Sequence, residues 1–322
     1  MRAVHLVEAT GPEGLSLVDV DEPVDPARVV VDLHTAGVSF PDLLQTTGGY
    51  QMVRELPCVP GIEGAGTVRS APPGSGFVPG RRVAVLTTGE GSWQQTVAVE
   101  PSNVFALPDV VSLSAGSGFL LNYLTAHFAL DERARYRAGE TVLIHGAAGG
   151  LGTAALHVAS ALGLETVAVV STGEKEKIAA ESGATHVVSV DGWKERVQRI
   201  TNGRGVDIIL DPVGGDRFTD SLRSLAPNGR LVVLGFTGGD IPTVKVNRLL
   251  LKNISVTGAG WGEYLKTDPR YLQRQWQELY PLLGSGALRV PEPTLYPLAR
   301  AADALTSLSE RTAVGKVALS LE

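Results

Sequence analysis

Over residues 1 to about 120, short apolar runs are separated by Gly and Pro: RAVHLV, ARVVVDLHTAG, GAGTVRSA, RRVAVLTT and WQQTVAVE. β-Branched residues in runs of this length, bounded by turn formers, suit a pleated and partly buried surface, so each run predicts a strand. Together they predict a compact, barrel-like β domain. The period then changes, and from about Ser114 to Leu130 the apolar positions recur at helical spacing. Beyond that bridge TVLIH, TVAVV, HVVSV, VDIILD, RLVVLG and ISVTGA alternate with helical segments. That alternation is what a doubly wound parallel sheet needs. After about Tyr264 come the helix YLQRQWQELYPLLGSG, then PTLYPLARAADALTSLSE and the strand-like GKVALSL. This tail is expected to return and complete the first domain.

The stretch from Thr141 to Ser171 reads as strand, glycine turn, helix and second strand. The turn is Gly146-Ala147-Ala148-Gly149-Gly150-Leu151-Gly152, and Leu151, Ala155, Val158, Ala159 and Leu162 then recur at helical spacing. Ala147 stands where the usual fingerprint has its first Gly, while Gly149 and Gly152 fill the other two places. Glycines alone mark only a turn. Between a strand and a helix they let the backbone approach a pyrophosphate, which the helix N-terminus attracts through its free N–H groups. Residues 147 to 152 are therefore candidate cofactor contacts. The second strand ends in Ser171-Thr172-Gly173 with no acid at its tip, and Lys175 follows. Hydroxyls and an ammonium suit a 2′-phosphate, which predicts NADPH over NADH. Two alternatives stay open: Glu174 reaches the ribose by a different turn, or Glu174, Lys175 and Lys177 form only a solvated helix start. Val213 in the DPVGG turn, and Gly235 and Phe236 after the fifth strand, fall at further carboxyl strand ends, where ligands of such sheets bind.

Composition narrows the class. The chain has 322 residues, 43% of them hydrophobic and 19% charged, with a net charge of −6. This is ample for a packed core and gives no electrostatic reason to expect nucleic acid or an anionic membrane. The one cysteine, Cys58, allows no internal disulfide and suggests a reducing compartment. The N-terminus MRAVHLVEATGPEG lacks a long apolar core, and no run of about 18 apolar residues occurs, so a cytoplasmic protein is expected. Asp42 after Pro41 reads as a helix cap, Cys58 as packing, and His127 and His145 as structural histidines.

In order, AGVSFPDLLQTTGGY, LPCVPGIEGAGTV, LTAHFAL, HGAAGGLG, STGEKEKIAAESGATHVV, GVDIILDPVGG, GRLVVLGF and RTAVGKVAL span essentially the whole chain. In this order and spacing it resembles the medium-chain dehydrogenase/reductase superfamily, specifically its zinc-independent quinone oxidoreductase (zeta-crystallin-like) branch. The resemblance implies an α/β protein with two domains and a cleft between them. A GroES-like β-barrel catalytic domain would comprise residues 1–122 and 265–322, and a Rossmann NADPH-binding domain residues 123–264. Zinc-dependent relatives carry a Cys in the segment matching GVSFPD, a His before the Glu of GIEGAG, and a thiolate near Asn122. Here those places hold Ser39, Ile62 and no cysteine. One Cys and six dispersed His offer no zinc spacing, so no metal is expected.

Quinones and activated enones accept hydride without a strong Lewis acid, and a donor near the acceptor oxygen would stabilise the developing anion. The resemblance makes Tyr50 a pocket residue and the candidate donor. Ser39 stands for a pocket Asn and Leu44 for a pocket Tyr. It also implies that Arg311 reaches the cofactor phosphate, against a plain surface role, with a second phosphate-binding Tyr replaced by Val190. Asn247 lies near the cofactor or caps the helix NRLLLKN. Lys316 shares the tail with Arg311 and receives no role. ISVTGA is an apolar edge strand, and with the resemblance it suggests a homodimer. The expected activity is NADPH-dependent reduction of a quinone or similar conjugated acceptor. The alternatives are enoyl or alkenal reduction, and a catalytically weak NADPH-binding sensor or structural protein.

Overall fold

A computed structural model describes residues 1–51 and 54–322, and the chain forms two compact units. The first holds Met1–Leu121 with Leu283–Glu322, the second Asn122–Leu282.

In the first unit, β1 (Arg2–Leu6) and β2 (Leu15–Asp19) form a small antiparallel pair. Then come β3 (Val29–Val38), α1 (Phe40–Thr46), β4 (Glu63–Ser70), β5 (Arg82–Leu86), β6 (Thr96–Val99), β7 (Val104–Ala106) and the short α2 (Leu113–Gly116). The bridging helix is broken after α2 and resumes as α3 (Leu120–Phe128), followed by a π-helical turn at Ala129–Arg133.

The second unit continues with β8 (Thr141–His145), α4 (Gly150–Ala161), β9 (Glu165–Val170), α5 (Gly173–Glu181), β10 (His186–Ser189), α6 (Trp193–Ile200), β11 (Val206–Asp211), α7 (Phe218–Ser224), β12 (Leu225–Val233), α8 (Asn247–Lys252) and β13 (Ser255–Gly258). These six strands form one sheet in the order β10-β9-β8-β11-β12-β13, every neighbouring pair parallel. All of β8 and β11 is buried, which is why TVLIH and VDIILD read as unbroken apolar runs rather than alternating ones. Leu143 and Ile209 pack with Trp193, Val197, Phe218 and Leu222 on one face. β13 is an edge strand, as its sequence suggested.

The return to the first unit falls at Leu283, later than the expected residue 265. The reason is packing within the second unit by α9 (Trp261–Thr267) and α10 (Tyr271–Gly284). Tyr264 and Tyr271 stack tilted or edge-on with Phe128, and Trp261 Nε1 donates to Gln275 Oε1 at 2.8 Å.

β14 (Thr294–Pro297), α11 (Ala301–Ser309) and β15 (Val317–Ser320) then complete the first unit. Its larger sheet runs β14-β15-β3-β4-β5-β7, with β6 also paired to β3. β15 lies antiparallel to β3 with Val317 opposite Val38, while β4 pairs Gly64 with Ala36. These two registers bring Lys316 and Glu63 to the end of β3, where Ser39 begins the turn into α1. The core beneath includes Val31, Leu33, Val68, Val85, Trp93, Leu305 and Leu319. Three strands escaped the sequence pattern: β2 is half-buried or exposed along its length, β7 has only three residues, and β14 is short and mostly exposed. No helix among the described residues is long and apolar enough to cross a membrane.

Candidate functional site

In the second unit the chain leaves β8 through Gly146, whose φ of 60° favours glycine. Gly149 begins α4, and no side chain caps it. Gly149 N–H donates to Gly146 O at 3.1 Å and Thr153 N–H to Gly149 O at 2.8 Å. The intervening N–H groups of Gly150, Leu151 and Gly152 have no partner among the described residues, as is usual at an uncapped helix start. The two fingerprint glycines differ in their reason. A Cβ on Gly152 would stand 2.2 Å from Gly146 O and 2.6 Å from Ala147 Cα, so close packing of helix on turn excludes any side chain. A Cβ on Gly149 would meet only Gly146 O, at 3.5 Å, which leaves the space above it open for a close ligand. Ala147 and Ala148 bury their methyl groups, and Ala147 N–H reaches Val169 O on β9 at 3.3 Å.

Neighbouring strand ends converge on this turn. Asp211 Oδ1 accepts the N–H groups of Val213 and Gly214, both at 2.9 Å, and burial lifts its carboxyl above the usual range against those two bonds. Thr237 N–H donates to Pro212 O at 3.0 Å and Gly238 N–H to Val213 O at 2.8 Å. A Cβ on Gly146 would lie 3.3 Å from Val213 Cγ2, and one on Gly214 3.0 Å from Phe236 Cδ1. Gly146, Val213, Gly235 and Phe236 thus come together from the ends of three parallel strands. Ser171 and Thr172 follow β9, both exposed, and Thr172 Oγ1 accepts the N–H of half-buried Lys175 at 3.4 Å. This arrangement fits a dinucleotide: an uncapped helix start, an open glycine, and two exposed hydroxyl residues at the next strand tip.

One alternative is removed in the same unit. Asn247 is not a helix cap, because Val246 holds that place and Asn247 is the exposed first residue of α8. His145 is fully buried, 2.8 Å through Nε2 from Ser221 Oγ and edge-on to Trp193, and burial pushes its imidazole down to about 3. It is a neutral packing residue.

In the first unit Ser39 caps α1, and its N–H donates to Asp42 Oδ2 at 2.8 Å. Asp42 therefore sits three places inside the helix start, reaching back to the capping residue. Lys316 Nζ donates to Ser39 Oγ and to Glu63 Oε1, both at 2.6 Å. Glu63 Oε2 accepts the Leu121 N–H at 2.8 Å. Asp42, Ser39 and Glu63 are all buried. Lys316 was missed in the sequence because it lies 277 positions from Ser39, and only strand pairing joins them. Tyr50 is half-buried at a bend after α1, where Gly49 N–H closes on Leu44 O at 2.9 Å. Arg311 is exposed, with φ of 58°, in the turn after α11.

The residues do not fit a catalytic zinc. Ser39 and Ile62 stand at two ligand places, and an ammonium occupies the gap between Ser39 and Glu63. A separate trio, His127, Asp131 and Glu278, has ligand atoms within 4.8 Å of one another. Hydrogen bonding works against a metal there too. Gln275 spends Oε1 on the Trp261 indole and donates through Nε2 to Leu124 O at 2.8 Å and His127 Nδ1 at 3.3 Å. The imidazole proton is thereby assigned to Nε2, which faces Glu278 Oε2 at 3.1 Å as a donor rather than as a lone pair.

Comparison with known proteins matches residues 25–109 to the alcohol dehydrogenase GroES-like domain and residues 150–284 to the zinc-binding dehydrogenase family. Bovine (Bos taurus) quinone oxidoreductase-like protein 2 is 36% identical over 304 residues, covering 93% of this chain and 87% of that protein. A probable oxidoreductase from Mycobacterium abscessus superposes with a TM-score of 0.89 at 41% identity, covering 99% of this chain and 98% of that one. The quinone oxidoreductase from Thermus thermophilus, whose structure was also determined with NADPH, gives a TM-score of 0.85 at 34% identity over 100% of both chains.

Proposed function

Because the chain belongs to the quinone oxidoreductase branch of the medium-chain dehydrogenase/reductase superfamily, we propose that it is an NADPH-dependent, metal-free reductase of a quinone or similar conjugated acceptor. The observation that carries the cofactor assignment is the convergence of Gly146, Val213 and Phe236 on the uncapped start of α4. The backbone of residues 147–152 holds the pyrophosphate, with the N–H groups at the helix start as donors. Ser171, Thr172 and Lys175 hold the 2′-phosphate. Val213, Gly235 and Phe236 line the nicotinamide end, with Asn247 nearby. When bound, the nicotinamide supplies hydride.

Ser39 and Tyr50 are assigned to the acceptor side, where a hydroxyl stabilises the charge that hydride addition places on oxygen. Metal independence is supported by the donor set: a lysine ammonium, a serine and an isoleucine are no zinc ligands, and the ammonium repels a second cation.

We also propose a homodimer through the edge strand β13. Beside it in sequence, Val246, Leu250 and Leu251 are 73%, 77% and 79% exposed, an apolar surface suited to cover by a second copy. A monomeric mass by light scattering at micromolar concentration would remove this proposal.

The deciding experiment follows NADPH oxidation by chelator-treated protein, with a small benzoquinone and a conjugated enone in parallel. Faster turnover of the quinone supports the reading, and preference for the enone moves it to C=C reduction. NADPH binding without turnover of either acceptor refutes it.

A further inference from the structure

The strand β11 ends in a buried acid. Asp211 is 1% exposed, and its Oδ2 has no partner among the described residues. Oδ1 alone accepts the N–H groups of Val213 and Gly214, both at 2.9 Å. Pro212 has no N–H to offer, and Gly215 N–H donates to Asp240 O at 3.1 Å. Every backbone donor from residue 212 to 215 is therefore committed inside the second unit. Unlike the start of α4, this turn presents a ligand with a side chain rather than with N–H groups, and that side chain is the half-buried Val213.

Asp211 also organises the neighbouring strand end. Its main-chain oxygen accepts the Leu234 N–H at 2.9 Å just beyond β12. The turn it shapes then receives Thr237 N–H on Pro212 O at 3.0 Å and Gly238 N–H on Val213 O at 2.8 Å. Packing around Val213 is close. A Cβ on Gly146 would stand 3.3 Å from Val213 Cγ2, and one on Gly238 2.8 Å from Val213 O and 3.4 Å from Val213 Cγ1. Gly238 has no left-handed φ, so it serves close approach rather than a turn. One carboxyl oxygen thus fixes Val213 against Gly146 and, through the Val213 carbonyl, against the loop that carries Phe236.

We propose that Asp211 is a positioning residue for hydride transfer: by holding the Val213–Gly214 backbone it sets the wall against which the nicotinamide rests. The proposal rests on the cofactor assignment above, in which Val213 and Phe236 line the nicotinamide end. Holding the cofactor and delivering its hydride then become separable. The phosphates are held by residues 147–152 and the tip of β9, so displacing the Val213 wall leaves that half in place and moves the reacting ring. A misplacement of about 1 Å at a reacting atom costs about 100-fold in rate. The carboxyl needs no charge for this role, since an amide oxygen accepts the same two N–H groups.

The test uses the full-length protein carrying D211L, which removes the acceptor at similar volume, beside D211N, which keeps it, V213A, and D211L with V213A. Melting temperature monitors the fold. Calorimetry follows binding of NADPH and of 2′-phospho-ADP-ribose, which lacks the nicotinamide. Turnover is measured at saturating NADPH with the benzoquinone and the enone. We expect kcat to fall about 100-fold in D211L. Its NADPH affinity should fall about tenfold while 2′-phospho-ADP-ribose binds as it does to wild type. D211N should restore kcat to within about threefold of wild type. The double variant should be no slower than D211L, because residues acting as one unit do not add. A folded D211L with kcat near that of wild type, equal loss of both ligands, a D211N as slow as D211L, or losses that multiply in the double variant overturns the proposal while the cofactor assignment stands. If D211L does not fold, V213A decides: unchanged kcat overturns the proposal, and a kcat loss with 2′-phospho-ADP-ribose binding intact sustains it. A wild type that binds no NADPH, or reduces neither acceptor, overturns reading and proposal together.

Discussion

Replacing Asp42 by Asn should change how stability depends on pH. Asp42 is 1% exposed, and its Oδ1 has no partner among the described residues. Burial outweighs the Ser39 N–H bond and the nearby Lys316 charge, while Glu63 adds repulsion, so the carboxyl is raised from 3.8 to about 7. The folded protein therefore keeps a proton that the unfolded chain releases. The stabilising contribution is fully present below the unfolded value, is lost as pH rises toward about 7, and changes no further above it. At about 1.4 kcal/mol per pH unit, the two units between pH 5 and the folded value correspond to about 3 kcal/mol. Asn keeps an oxygen for the Ser39 N–H and carries no charge at any of these pH values. Urea unfolding of both proteins at pH 5 and pH 8 isolates the effect, because other titrating groups are common to both. Wild type should lose about 3 kcal/mol relative to D42N on going from pH 5 to pH 8. An equal difference at both pH values would refute the argument, since Asp42 would then be ionised in the fold across the whole range.

The other predictions concern the cofactor turn and the metal. Gly149→Val should fold normally and lose NADPH and NADH alike, because its Cβ meets only Gly146 O at 3.5 Å; normal NADPH binding by the folded variant would sink the turn assignment. Gly152→Ala should instead lower the melting temperature, since its Cβ would fall 2.2 Å from Gly146 O, and an unchanged melting curve would contradict the packing argument. Lys175→Glu should weaken NADPH by roughly 1–3 kcal/mol more than NADH, the range of a charge-assisted contact. Equal loss in fluorescence titrations would show that Lys175 does not discriminate. Exhaustive chelation should leave turnover unchanged and added zinc should not raise it, whereas recovery of lost activity by zinc alone would refute a metal-free reaction.

Much of the cofactor unit was legible in the chain because its signals are local. TVLIH and VDIILD announce strands buried on both faces, and residues 146 to 152 announce the turn between strand and helix. Tip chemistry at Ser171 and Thr172 is equally local. Elements that bury little, such as β2, left no such pattern, and the helix start at Asn247 was displaced by one residue, as ends without a strong cap often are.

What the sequence by itself determined was the order and type of the main elements, the glycine turn, and the absence of zinc-ligand residue types at Ser39 and Ile62. Tertiary structure alone decided that Lys316 stands between Ser39 and Glu63, that burial raises the Asp42 carboxyl, and that His127 presents a proton rather than a lone pair. The division has one physical reason. Periodicity and turn chemistry act over a few residues, whereas the register of β15 on β3, and the burial that moves a proton, come from chain segments hundreds of residues apart.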